Sequence, residues 1–116
     1  MEIQYKEEKE FTPGALEELF LSVGWESGNY PERLARAMKQ SSLVISAWDH
    51  DRLVGLVRSL DDGETVAFIH YLLVNPAYQK QHIGAELMKR LLCHYEDLLY
   101  VCLLYTSDAA DDLLCV

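Results

Sequence analysis

The sequence has little of what several functions demand. Only 10 Lys and Arg stand against 19 Asp and Glu in 116 residues, a formal net charge of -9. Gripping nucleic-acid phosphates takes a surplus of positive charge, so no nucleic-acid partner is expected. Long apolar runs are missing too. No stretch nears the ~20 residues of a membrane span, and the start Met1-Glu2-Ile3-Gln4 lacks the basic-then-apolar order of a signal peptide. A cytoplasmic protein with no membrane partner is the expectation. Cysteine is scarce: Cys93, Cys102 and Cys115. An odd count without paired spacing argues against a disulfide framework and against a zinc site, so no metal is expected. Cys93 lies in an apolar helical run and reads as a small core residue. Internal repeats and low-complexity linkers are absent, and the length suits one domain.

What is present suits a folded domain. Half of the residues are apolar, enough for a core. The acidic surplus draws cations such as amines through long-range attraction.

Ile3 to Lys6 alternates apolar and polar residues, as a first strand does. Thr12 caps a helix that Pro13 opens, and Leu16, Leu19, Phe20 and Val23 share its inner face before Gly24 ends it. Tyr30-Pro31 precedes a second helix with Leu34, Ala37, Met38 and Ser41 on one side. Leu43–Trp48 and Leu53–Arg58 read as a hairpin across the turn residues Asp49 to Arg52. Thr65–Val74 is almost continuously apolar, which predicts a central strand buried on both faces. Asn75-Pro76 stops it. A helix over Ile83–Tyr95 follows, with Ile83, Leu87, Leu91 and Leu92 as its buried stripe. Leu98–Val101 then starts a strand parallel to the central one. The fold class is α/β in the broad sense: a mixed α+β sheet made of an antiparallel meander and one βαβ unit, with helices on both faces.

The junction Leu72-Leu73-Val74-Asn75-Pro76-Ala77-Tyr78-Gln79-Lys80-Gln81-His82-Ile83-Gly84-Ala85 carries the chemistry. It joins a strand to a helix start, where free N–H groups and a partial positive charge hold anions. Successive loop N–H groups wrap a phosphate, Gly84 lets it approach the backbone, and Lys80 adds a point charge. These residues predict a phosphate or diphosphate site.

The same residues resemble the acetyl-CoA signature of the GNAT family of N-acetyltransferases, Gln/Arg-x-x-Gly-x-Gly/Ala, with Gln79 first and Gly84 last. The preceding Leu-x-Val-x-Pro resembles the family's fourth strand and its exit. His82 departs from the pattern, which usually has Gly there; a non-glycine residue fits if its φ is negative, and its ring can reach a phosphate. The resemblance covers about residues 1–101 and implies the GNAT fold, incomplete at its C-terminus, with acetyl-CoA as co-substrate. It places the diphosphate on the backbone amides of Gln81, His82, Ile83, Gly84 and Ala85. It places the pantetheine arm on the backbone of Leu72 and Val74, where a β-bulge splays two strands apart.

The implied activity is direct acetyl transfer to a primary amine of a small molecule or peptide. His70 is the candidate base, since an unperturbed imidazole titrates near pH 6.5; Tyr71 is expected to point to the opposite face and pack. A backbone N–H near Val74 is the candidate oxyanion donor. Trp25 and Tyr30 are candidate walls of the acceptor pocket, and Glu26 its candidate partner for a cation. His50 reads as a solvated turn residue, and His94 as a cation favoured near a helix end.

Cys102 to Asp111, read as Cys-Leu-Leu-Tyr-Thr-Ser-Asp-Ala-Ala-Asp, resembles translated transposase sequencing adapter at every position. Residues 102–116 are therefore expected to be a non-native tail on a partial domain of residues 1–101, and Tyr105 is not nominated as the acid that the family's next helix often supplies. Two rival readings stand beside the enzyme: a non-catalytic acyl-CoA-binding module, and an inactive truncated fragment. The sequence names no acceptor and sets no oligomeric state; a homodimer is compatible with it.

Overall fold

The computed structural model describes residues 2–104 and 113–115. Most of the segment that resembles adapter, residues 105–112 and 116, lies outside them.

A six-stranded sheet runs in sequence order: β1 (Gln4–Lys6), β2 (Leu43–Asp49), β3 (Arg52–Asp61), β4 (Val66–Val74), β5 (Tyr100–Leu104) and β6 (Leu113–Cys115). Neighbours are antiparallel except β4 and β5, which are parallel because helix α3 (Ile83–Leu92) crosses between them. This is the mixed sheet the sequence predicts. Helices α1 (Pro13–Ser22) and α2 (Pro31–Gln40) cover one face. Their Leu16, Leu19, Phe20, Leu34 and Met38 pack on Val44, Leu53, Leu56 and Leu73. Helix α3 covers the other face with Ile83, Leu87 and Leu91 on Ile45, Val54, Val57 and Ile69. Thr12 caps α1 by accepting a hydrogen bond from the backbone N–H of Ala15, as read from Thr12-Pro13.

The close seat of α3 depends on Gly55 of β3. A Cβ there would stand 3.1 Å from Ile83 Cγ2 and 3.3 Å from Leu87 Cδ1. The helix therefore lies directly on bare backbone, which fixes the height of its N-terminus above the end of β4.

Several expectations need correction. The α-helix ends at Leu92, and Cys93–Tyr95 tightens into a 3-10 turn; Tyr95 leaves it to bond Ser59 and Asp61 of β3 through its hydroxyl. Leu92 and Cys93 are consequently exposed, not core residues. Cys102 is disulfide-bonded, where the odd, unpaired cysteine spacing argues against a disulfide. The central strand is not buried on both faces throughout. Leu60 and Phe68 are paired across β3 and β4, and both are exposed because α1 and α2 stop short of them.

Candidate functional site

The site grows from an irregularity in β4. Pairing with β3 runs Arg58 to His70 and then jumps to Leu56 with Leu73. Val57 alone therefore faces two residues, Tyr71 and Leu72, which is a β-bulge. Tyr71 absorbs it with φ +59°, a region that non-glycine residues seldom enter.

Two consequences follow. First, β4 pairs with β5 only from Val66 to His70. Among the described residues, the backbone from Tyr71 to Val74 has no strand on that side. Second, the twist brings Tyr71 onto the face His70 occupies. The two rings stack with centroids 4.0 Å apart, so Tyr71 does not point to the opposite face as strand alternation predicts.

A cavity of about 590 Å3 opens beside the unpaired end of β4. Leu72, Val74, Gln79, His82, Gly84 and Ala85 line it, together with Val23, Trp25 and Leu73. The start of α3 closes its floor. No side chain caps this helix, and its first carbonyl, that of His82, is used by the N–H of Glu86. The N–H groups of Ile83, Gly84 and Ala85 head the helix without an intrahelical acceptor. Gly84 adds room: a Cβ there would meet only Val74 Cγ2, at 3.8 Å. Helix dipole and free donors together make a place for an anion.

Other loop residues fall differently. Lys80 and Gln81 are exposed and outside the cavity lining, and the Ile83 side chain is a core residue that offers the cavity only its backbone. His82 adopts φ +60°, where the sequence reading required a negative angle. The chain makes its turn into α3 through a left-handed residue, which glycine would enter more easily.

A second cavity, about 470 Å3, lies between α2, the 3-10 turn Glu26–Asn29 and Tyr71. Glu26 and Tyr30 line it, as do Ser27, Arg33, Leu34 and Ala37. Trp25 does not: it precedes the 3-10 turn and lines the first cavity. Tyr71 lines the second cavity and lies against Trp25, which lines the first. It packs edge-on against Phe20 at 5.0 Å, lies 6.0 Å from Trp25, and its hydroxyl is 3.1 Å from Ser27 Oγ.

His70 is half-buried. Its Nδ1 sits 2.8 Å from Arg58 Nη2, and an arginine can only donate. Nδ1 is thus the acceptor, and the neutral ring carries its hydrogen on Nε2. Burial, and next the Arg58 charge, lower its pKa to about 4. His50 and His94 are both exposed; His94 Nε2 lies 3.2 Å from Glu7. Among the described residues no group of three or more His, Cys, Asp or Glu gathers to hold a metal, and no helix is long and apolar enough to cross a membrane.

Sequence reasoning missed Tyr71 and Arg58. Tyr71 is hidden because alternation cannot show a bulge. Arg58 carries a signal: it is a lone charge within the apolar strand run Leu53-Val54-Gly55-Leu56-Val57-Arg58.

Comparison with known proteins agrees with this geometry. A family model described as Acetyltransferase (GNAT) family matches residues 5–113, a span that runs past Val101 into the segment that resembles adapter. An uncharacterised ycf52-like N-acetyltransferase of Prochlorococcus marinus is 36% identical over 86 residues, 71% of this chain and 47% of the relative. The chain thus spans about half the length of that curated relative. A solved GNAT family acetyltransferase from Streptococcus pneumoniae TIGR4 is 33% identical, with a TM-score of 0.77 over 92% of this chain and 77% of that one. A GNAT acetyltransferase from Brucella melitensis, solved with acetyl-CoA, has a TM-score of 0.70 over 99% of this chain and 87% of that one, and at 16% identity the likeness is one of fold. On the breadth of the family match, and with the bulged strand and uncapped helix in place, the chain belongs to the GNAT family of acetyltransferases.

Proposed function

We propose that this chain transfers acetyl from acetyl-CoA to a primary amine of a small molecule or peptide. The reading rests on one juxtaposition: the unpaired end of β4 and the uncapped start of α3 open into the same cavity. The diphosphate lies on the N–H groups of Ile83, Gly84 and Ala85, with those of His82 and Gln81 behind them. The pantetheine arm runs along Leu72 to Val74 as an added strand, its thioester toward the bulge. Gln79 and Lys80 flank the entrance, and Trp25 covers the arm. The acceptor enters from the second cavity, between Glu26 and Tyr30, and its nitrogen meets the thioester beside Tyr71.

The amine attacks the thioester carbon, and a backbone N–H near Val74 steadies the oxyanion. The carbon–sulfur bond then breaks, releasing CoA thiolate. His70 lines neither cavity but stacks on the Tyr71 ring, which lines the second one. A ring that protonates only near pH 4, with Nδ1 engaged by Arg58, is a weak base at neutral pH. Water therefore carries the amine proton away.

Thiol release over a panel of amines, with acetyl-CoA as donor, tests the reading. His70→Ala should lower turnover while leaving CoA affinity intact, and Gly84→Val should abolish CoA binding in a folded protein. Normal CoA affinity in Gly84→Val would refute the site. Binding without thiol release for every amine would favour the non-catalytic module, for which His82 in place of the family's glycine speaks.

A further inference from the structure

Arg58 is a cation without an anion. No carboxylate lies within ion-pair distance of it among the described residues. Its guanidinium is half-buried, and its Nε is shut from solvent with no hydrogen-bond partner among them. Buried charge is costly unless paired, so a cation kept in this state calls for a counter-charge from elsewhere.

The group is also held still. Nη1 lies 3.2 Å from Ser41 Oγ, Nη2 lies 2.8 Å from His70 Nδ1, and the guanidinium carbon is 4.8 Å from the Tyr71 ring centroid. A guanidinium has five N–H groups. Two are spent on Ser41 and His70 and one is shut away at Nε, which leaves one on each terminal nitrogen. A carboxylate can accept from both terminal nitrogens of a guanidinium. Tyr71 links this cation to the acceptor side, because the ring beneath Arg58 also lines the cavity of Glu26 and Tyr30.

We propose that Arg58 receives a carboxylate carried by the acceptor amine, so that the preferred substrates are amino acids in the broad sense. This rests on the transfer reading above. It makes Arg58 the residue that sets specificity, with Ser41 and His70 holding it in place.

The test compares kcat/KM of the 116-residue chain for glycine, β-alanine and 4-aminobutanoate with that for their primary amides. The wild type should prefer the acid by about tenfold or more at one of these lengths. Arg58→Gln should bring that ratio close to one, and Arg58→Lys should keep part of it. Comparing the ratio between proteins cancels the difference in amine pKa between acid and amide. The acetyl-CoA-induced thermal shift of each variant establishes that it is folded. No preference for the acid at any length, or a preference undiminished in Arg58→Gln, overturns the proposal. If no amine is turned over, the transfer reading fails on its own. Arg58 is then judged by binding of N-acetylglycine against N-acetylglycinamide in the presence of CoA, read from tryptophan fluorescence: tighter binding of the acid that is lost in Arg58→Gln upholds it, and equal binding overturns it.

Discussion

Replacing Gly84 by Ala should raise stability and spare cofactor affinity, whereas replacing it by Val should cost the affinity. Gly84 occupies the second position of α3 with helical backbone, and a Cβ would meet nothing closer than Val74 Cγ2 at 3.8 Å. The protein itself has room. Alanine in a helix is better than glycine by up to ~1 kcal/mol, so the unliganded variant should melt about 2–8 °C higher. The cofactor tolerates the methyl too, because the family signature admits Gly or Ala at this position; the branched side chain of Gly84→Val instead fills the space where the phosphate would meet the helix N–H groups. Losing one charge-assisted bond costs about 1.5–3 kcal/mol, a weakening of acetyl-CoA binding of roughly ten- to a hundredfold. Differential scanning fluorimetry without ligand reads the first effect, and calorimetric titration of acetyl-CoA reads the second. At saturating acetyl-CoA, Gly84→Val should fall behind wild type in melting temperature, since each tenfold loss of affinity removes about 1.4 kcal/mol of ligand stabilisation. An affinity of Gly84→Val within about twofold of wild type would refute the placement of the phosphate on this helix. A lower melting temperature of Gly84→Ala without ligand would refute the claim that the methyl has room.

Three further outcomes are expected. His82→Gly removes the left-handed strain of about 1–2 kcal/mol and adds about 0.5–1 kcal/mol of chain entropy to the unfolded state; the net gain should be near 0.5–1 kcal/mol by urea unfolding, whereas His82→Ala, which keeps the strain, should show none. Gly55→Ala drives a methyl against Ile83 and Leu87 of α3, so stability should fall by about 1–3 kcal/mol and acetyl-CoA affinity with it, as α3 lifts; unchanged values in both assays would contradict the close seat of the helix. The folded pKa of His70 lies near 4, below the unfolded value of about 6.5, so the unfolded chain takes up the proton first as pH falls. The stability His70 contributes is complete above about pH 6.5 and drains away between that pH and about 4; melting temperatures of wild type and His70→Gln should converge over this window, and parallel curves would contradict the assignment.

The parts of this fold that were legible in sequence are those set by local rules. Thr12-Pro13 announces the start of α1 because a cap and a missing donor act within one turn. Asn75-Pro76 announces the end of β4 because proline cannot continue the ladder. Leu87 and Leu91 fall in the core because helix period alone puts them there. What escaped depends on contacts made elsewhere. Leu92 and Cys93 are apolar enough for a core, yet the α-helix stops between them and both stay exposed. His82 reads as a tolerable departure from a glycine pattern until the φ of that position is known.

Tyr71 shows how such a miss moves a residue into the site. Strand alternation puts His70 and Tyr71 on opposite faces, and in a regular strand it would be right. The extra residue opposite Val57 breaks the alternation at this step, and φ +59° at Tyr71 is the price of the break. The strain is held in place by Phe20, Trp25, His70 and Arg58 around the ring and by Ser27 at the hydroxyl. The same bulge that strips Leu72 to Val74 of a strand neighbour thus turns Tyr71 into the wall of the second cavity, against Trp25 of the first. A strand register that freed the backbone without turning Tyr71 would leave an opening for the pantetheine arm but no wall for the acceptor to approach along. One inserted residue produces both halves of the proposed site, and for that reason neither half is readable from the pattern of apolar and polar residues.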